Sequence, residues 1–437
     1  MNTIVQSEVT VIGAGPAGLA AAAAAAERGV RVTLVDMMAA TGGRVWAGAV
    51  HDTAHRRLLD TLDRHGVKRL QGRRVVAAQG RQLLLESAAQ DGGSATWLDS
   101  ERLVLCTGAR ELQLPFPGWT LPGVTGAGGL QLMVKGGLSS NGALKGRRVA
   151  VAGTGPLLLA AAATAKQAGA EIVLLAEQAP TARVHAFARQ LWRWPDRLLQ
   201  AGALRASLLG TPYRLGTRIV QAVGESWVRQ VQLVDAAGRS IAVACDYLAV
   251  GHSLITQCEL PQLFGCALTD DDPLNQAVQV DELGATSVPG IFAAGETAGV
   301  GGRAKALIEG RIAGFAAAGA PDEARALLPQ AERERAYARL LRASFAPRLE
   351  ESPQPAPDTL VCRCEDVPWA ALSRCTNARQ ARLQQRCGMG HCQGRVCGSA
   401  LSLLKGWPRS EGRPPLMPAR VGTLARLLSP STSGDSA

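Results

Sequence analysis

The chain has 437 residues, more than one hydrophobic core usually holds, so two or three domains are expected. Its net charge of +11 comes from arginines spread along the chain and only 4% of residues are aromatic. No basic run is interleaved with aromatics, which excludes nucleic-acid binding by base stacking. The N-terminus has no leader pattern, and the apolar stretch from Leu19 to Ala26 is too short to be a transmembrane segment, so a cytoplasmic protein is expected. Ten cysteines in such a reducing compartment read as metal or redox residues before disulfides.

Glu8-Val-Thr-Val-Ile12 reads as a buried parallel strand, followed at once by Gly13-Ala-Gly15-Pro16-Ala17-Gly18. An alanine-rich helix runs to Arg28 and ends at Gly29; Val30 to Val35 is a second strand with Asp36 at its carboxyl end. Strand, glycine turn, helix, strand and acid make a complete mononucleotide-binding unit. Gly13 permits the tight turn, Gly15 lets the backbone approach a pyrophosphate, and Gly18 lets the helix pack on the strand. Pro16 and Ala17 open that helix, whose free amides face the phosphates. Asp36 stands where a carboxylate accepts ribose hydroxyls.

The same order recurs at Arg147 to Ala152, Gly153-Thr-Gly155, an alanine-rich helix, and Glu171 to Glu177, an internal duplication of a nucleotide-binding fold. Here Leu158 replaces the third glycine. Two readings stay open: a weakened NAD(P)H site, with Glu177 for a ribose, or a fold kept for structure, which the leucine favours. A third block, Ser287 to Glu296, is a short strand ending in Gly295-Glu296, and Gly301-Gly302 leads into a helix. Residues 346–358 are rich in Pro, Ser and Glu and read as a linker.

Beyond the linker lie Cys362-Arg-Cys364 and Cys392-Gln-Gly-Arg-Val-Cys397. Two close pairs separated by a short helical stretch can converge on one metal centre, and thiolates suit iron–sulfur clusters or zinc. Zinc sites more often use Cys-x-x-Cys on both sides. Gly388, Gly390 and Gly394 allow close backbone approach, with amides for cluster sulfurs. Cys375 and Cys387 fall outside the ligand spacing. Cys106, Cys245, Cys258 and Cys266 read as small buried hydrophobes.

The N-terminal glycine motif, Thr41-Gly42-Gly43, Leu103 to Ala109 and Ala294-Gly295-Glu296 together resemble the two-dinucleotide-binding-domain flavoproteins. That resemblance implies FAD and adds Gly43, Arg44, Val76, Thr107, Gly108, Ala109, Gly295 and Glu296 to its contacts. Glu296 stands where most members carry Asp. Val361 to Val367 and Cys387 to Cys397 resemble a bacterioferritin-associated-ferredoxin-type [2Fe-2S] module, which implies ligation by Cys362, Cys364, Cys392 and Cys397.

Over nearly its full length, including Arg110 to Gly129, the chain resembles the alpha (A) subunits of hetero-oligomeric amine and imino-acid dehydrogenases. That group includes D-hydroxyproline dehydrogenase, opine oxidase and the hydrogen cyanide synthase B subunit. The resemblance implies a substrate oxidised on a separate FAD-containing beta subunit, an imino or secondary amino acid with D-hydroxyproline foremost. It leaves room for an FMN at a subunit interface and a small ferredoxin-like gamma subunit. No catalytic residue is assigned here: three tyrosines are present, and no Arg, Tyr and His set clamps a carboxylate. The competing readings are a stand-alone NAD(P)H-dependent reductase and a redox-inert scaffold.

The expected fold is α/β with tandem Rossmann-like domains. Residues 1–125 and 286–345 form the FAD domain, 126–285 the inserted domain, 359–405 the cysteine module, and 406–437 a Pro/Arg-rich tail. The tail around Pro414 to Pro418 has apolar anchors and is expected to lie extended against a partner subunit.

Overall fold

The computed structural model describes residues 4–48, 52–87, 95–136, 142–269, 274–351, 354–409 and 412–427. The chain divides into two compact units. The first takes the N-terminal stretch to Arg110, Ile255–Ala338 and the C-terminal stretch; the second takes Glu111–Leu254 and Arg339–Arg409.

In the first unit, Ile4–Ile12 lies centrally in a sheet ordered Lys68–Leu70, Val32–Val35, Ile4–Ile12, Thr96–Leu105, Gln82–Ser87, Arg73–Gln79, and Ile291–Ala293 also pairs with Thr96–Leu105. Pairing is parallel through the centre, with Val11 opposite Leu34 and Val104, and antiparallel in the hairpin of Arg73–Gln79 and Gln82–Ser87. Central parallel strands are covered on both faces, which is why Val9, Thr10, Val11 and Ile12 are all buried instead of alternating with exposed residues.

The helix Pro16–Ala26 buries every one of its residues, as a helix apolar on all sides must. Its main neighbour is the helix Arg303–Ala317. A Cβ on Gly310 would stand 2.2 Å from the Ala17 carbonyl oxygen, and one on Gly314 would stand 2.3 Å from that of Ala21. Small residues on both surfaces let the two backbones meet, and a valine at Gly314 would force them apart at about 3 kcal/mol. Each fully buried leucine of this core, such as Leu19 or Leu34, contributes at most about 3 kcal/mol.

The second unit holds an all-parallel sheet ordered Tyr213–Leu215, Glu171–Glu177, Arg148–Gly153, Tyr247–Gly251, Val124–Gly126. An antiparallel meander, Arg218–Gly224, Val228–Val234 and Ser240–Ala244, packs its apolar face on it through Ile219, Val231 and Leu233. The two sheets and their helices are the tandem Rossmann-like α/β arrangement. The cysteine segment belongs to this unit, with its own small core of Val361, Val367, Leu372, Leu401 and Trp407.

The tail departs from expectation. It folds back on the first unit of its own chain instead of waiting for a partner. Leu416 is buried beside Leu83 and Leu85, and its amide donates to the Val76 carbonyl at 2.8 Å. The wholly buried carboxylate of Glu86 pairs with Arg74 and accepts from the Arg420 amide (2.9 Å) and the Thr423 hydroxyl (2.6 Å). A buried acid must be paired and hydrogen-bonded, and the tail supplies two of the donors. Among the described residues no helix is long and apolar enough to cross a membrane.

Candidate functional site

The first glycine loop is shaped by contacts that only glycine allows. Gly13 has φ +106°, and a Cβ there would lie 2.2 Å from the Cys106 carbonyl oxygen. A Cβ on Gly18 would lie 1.6 Å from the Gly13 carbonyl oxygen. At Gly15, by contrast, nothing lies within 4 Å of the position a Cβ would take. Gly15 is also the N-cap of the helix Pro16–Ala26, with no side chain capping its amides. An open approach to free helix-terminal amides fits a pyrophosphate.

Asp36 follows the strand Val32–Val35. Its carboxylate accepts from the Ala14 amide and from the Met38 amide at 2.7 Å, fixing the loop while the residue stays half-exposed. A carboxylate has about four acceptor sites, so two amides leave capacity for a ribose. The Thr107 hydroxyl donates to the Gln257 carbonyl (2.9 Å) and lies 3.2 Å from the Thr297 hydroxyl, which also accepts from the Gly108 amide at 3.1 Å. This ties the Thr107-Gly108-Ala109 element to the short turn Gly295–Ala298. Glu296 accepts from the Gly302 amide at 3.3 Å; burial pushes its carboxyl up, opposed by that amide and by Lys305.

The remaining sequence candidates occupy diverse settings. Gly43 lies beside Gly15, since a Cβ on it would meet the Gly15 Cα at 3.0 Å. Arg44 is exposed. Val76 is fully buried at an irregularity of strand pairing, and its carbonyl is taken by Leu416.

Sequence reading missed Thr297 and Lys305. Lys305 is 5% exposed and donates to the carbonyls of Gly295 (3.1 Å) and Gly299 (2.8 Å) and to Glu309 (2.6 Å), which also pairs with Arg335 at 2.9 Å. A lysine and a glutamate four apart on a largely apolar helix was the available signal.

The second glycine loop is differently placed. A Cβ on Gly155 would point at the Phe345 Cβ, 3.8 Å away, and the Thr154 hydroxyl lies 3.4 Å from the Phe345 carbonyl, which accepts its hydrogen bond. Gln178 donates to the Arg348 carbonyl at 3.1 Å, and the Phe345 ring stacks edge-on against Phe187. Glu177 is 1% exposed and spends its carboxylate on the amides of Gly155 (2.8 Å) and Ala179 (2.7 Å). Beside the loop, His252 is half-buried in a recess with Phe116, Arg218 and Gln178, and desolvation there pushes its pKa down to about 4.

In the cysteine segment, Cys362 ends the strand Leu360–Cys362, the chain turns through Asp366 at φ +48°, and Cys397 opens the helix Cys397–Lys405. The thiols of Cys362, Cys364, Cys392 and Cys397 line one cavity of about 110 Å³ with Gln113, Trp119, Arg363 and Val396. A Cβ on Gly390 would meet the Cys364 Cβ at 2.2 Å, so only glycine lets that segment close over Cys364. Cys387, left outside by its spacing, is brought in as well: the sulfurs of Cys362, Cys387 and Cys397 lie within 4.8 Å of one another. The left-handed Arg386 (φ +59°) and Gly388 (φ +84°) on either side turn the chain inward there. Hydrogen bonds with Cys387 and Cys397 hold the Cys362 thiol far below its ordinary value, whereas bonds with Cys362 and Cys387, together with burial, push Cys397 up. A cavity walled by four cysteines fits a thiolate-ligated metal centre. Cys106, Cys245, Cys258 and Cys266 are all buried, and burial pushes the Cys106 thiol up to about 12.

The fold and the first cradle define an FAD-dependent oxidoreductase: the chain belongs to the pyridine nucleotide-disulphide oxidoreductase family, whose model matches residues 7–320. It is 32% identical to the A subunit of opine oxidase from Rhizobium meliloti, over 97% of this chain and 99% of the relative. It is 29% identical to hydrogen cyanide synthase subunit HcnB of Pseudomonas protegens, over 89% of each. Both relatives fall in the group named from the sequence motifs, which bears that resemblance out. Among solved structures, L-proline dehydrogenase from P. horikoshii superposes with a TM-score of 0.62 at 18% identity, over 98% of this chain and 81% of that one, a likeness of fold.

Proposed function

We propose that the chain is the electron-transferring flavoprotein and iron–sulfur subunit of a hetero-oligomeric dehydrogenase acting on a CH–NH donor. The donor is an imino or secondary amino acid, with D-hydroxyproline the first to test, oxidised on a separate FAD-containing beta subunit. One observation carries this reading: an open dinucleotide cradle and a cavity lined by four cysteines occur in the same chain. The relatives' names support it, since those from opine oxidase, hydrogen cyanide synthase and sarcosine oxidase are each named as subunits.

In this reading FAD lies along Gly13 to Gly18, with Asp36 on its ribose, and Cys362, Cys364, Cys392 and Cys397 ligate a [2Fe-2S] cluster. When bound, the flavin supplies two-electron and the cluster one-electron exchange. This chain's residues bind and orient those groups: free amides meet phosphate, Lys305 and Thr297 fix the turn at Glu296, and Trp119 and Val396 give the thiolates an apolar wall. The second glycine loop, already met by Phe345, with the neighbouring Gln178 held by the Arg348 carbonyl, supports a structural role rather than an NAD(P)H site.

The test is co-expression with a cognate beta subunit, followed by an assay of imino acids and opines with an artificial acceptor. Turnover is expected from the complex and not from the isolated chain; robust turnover by the isolated chain would sink the proposal. Iron and acid-labile sulfide should co-purify anaerobically. Serine at Cys362, Cys364, Cys392 or Cys397 should remove or distort the cluster's electron paramagnetic resonance signal, and Cys375→Ser should not. The trio of Cys362, Cys387 and Cys397 favours one second reading, a mononuclear zinc site, which zinc without iron and loss of metal in Cys387→Ser would establish.

A further inference from the structure

The cavity lined by the four cysteines has a fixed positive charge in its wall. Arg363 stands between Cys362 and Cys364, and its guanidinium lies over the indole of Trp119, 5.3 Å from the ring centroid. Both residues line the cavity. Trp119 is itself well anchored: it is 4% exposed, packs in the core of the second unit beside Phe116 and Val228, and its Nε1 donates to the Leu360 carbonyl at 2.6 Å. One indole therefore pins the strand that carries Cys362 and seats the arginine that follows it. The nearest acid in sequence, Glu365, is taken by Arg386 at 2.7 Å. Among the described residues Arg363 has no carboxylate partner that would cancel its charge.

The geometry points to Arg363 as a positioning residue that sets the reduction potential of the group held by the four thiolates, with Trp119 as its seat. This rests on the iron–sulfur reading above. Four thiolates make the bound cluster anionic, and reduction adds one electron to it with no bond formed or broken. A cation held at the wall favours the more negative, reduced state and so raises the potential. Arg363 is an exposed residue, so part of the effect is screened by salt. Indole is the strongest of the aromatic faces for a cation, which explains a tryptophan here rather than a phenylalanine.

The experiment is a mediated titration of the full-length chain with dithionite, following the reduced cluster by electron paramagnetic resonance. Arg363→Gln should keep wild-type iron content and move the midpoint potential to more negative values, with the difference shrinking at high ionic strength. Arg363→Lys, which keeps the charge, should stay near wild type. Trp119→Phe, which weakens the seat, should shift the potential the same way by less. An unchanged potential in Arg363→Gln, or an equal shift in Arg363→Lys, overturns the proposal. If Arg363→Gln takes up no cluster, an unchanged potential in Trp119→Phe overturns it. Wild-type chain without iron would reject the cluster reading and this inference with it, whereas a loaded wild type indifferent to Arg363 rejects this inference alone.

Discussion

At Gly15 the direction in which a side chain would project is empty to 4 Å, whereas at Gly155 it meets Phe345 at 3.8 Å. The two loops share one local grammar: strand, glycines, alanine-rich helix, strand and acid. Each acid even makes the same kind of bond, holding two backbone amides of its own loop. What differs is the neighbourhood. Asp36 remains half-exposed and can still accept from a ligand; Glu177 is sealed. Leu158 fills the space beside Gly251 that a third glycine would leave free. A glycine motif therefore specifies a turn, and the chain around it decides whether the turn is a binding site.

The largest effect should come from filling the open loop. The Cβ of Gly15→Val meets no protein atom within 4 Å, so the variant should fold with a melting temperature close to wild type. Its branched side chain would occupy the pyrophosphate approach, and flavin retention should fall at least about 100-fold, or about 2.7 kcal/mol. Full flavin absorbance in the purified variant would break the contrast between the loops.

Next come the two acids. Asp36→Ala removes a charged acceptor worth about 1.5–3 kcal/mol per bond and should lower flavin affinity by about 10- to 100-fold with a modest loss of stability. Glu177→Ala should do the reverse, leaving flavin content intact while lowering the chemical-denaturation stability by about 2–4 kcal/mol, because buried amides of Gly155 and Ala179 lose their acceptor. Equal flavin loss in both would contradict the division of roles.

Phe345→Ala should cost about 1–3 kcal/mol by thermal melt, with the flavin unaffected. NADH should fail to bleach the wild-type flavin; rapid bleaching would turn the second loop back into a working site.

Acid should weaken the units in different windows. Burial depresses the His252 pKa from 6.5 to about 4, so the unfolded chain takes up a proton that the folded one refuses. Stability of the second unit should decline as pH falls from about 6.5 towards about 4, and His252→Leu should flatten that slope in melts run against pH.

In the first unit, burial alone would raise Glu86, yet hydrogen bonds from Thr423, Arg420 and Arg74 hold it below the usual carboxylate value. Its contribution is complete above the unfolded value near 4.5 and lost as pH falls through the lower folded one. The smallest effect is expected of Thr423→Val, about 1 kcal/mol, read as faster proteolysis of the tail at neutral pH.

Local pattern made much of this protein legible. The first strand, glycine turn, helix and acid can be read from Glu8 to Asp36 because turn sterics and helix-terminal amides act over a few residues. The duplication at Arg147 to Glu177 and the two cysteine pairs are legible for the same reason, as is the family. Tertiary structure decided the rest. Cys387 joins Cys362 and Cys397 through a left-handed turn that spacing does not announce, and Lys305 is buried because carbonyls of Gly295 and Gly299 come to meet it. The tail closes on Glu86 because a buried carboxylate needs donors that its own strand lacks. Phe345 reaches Gly155 from far along the chain, and no local preference encodes that encounter; it follows from which surfaces remain uncovered once the sheets have formed.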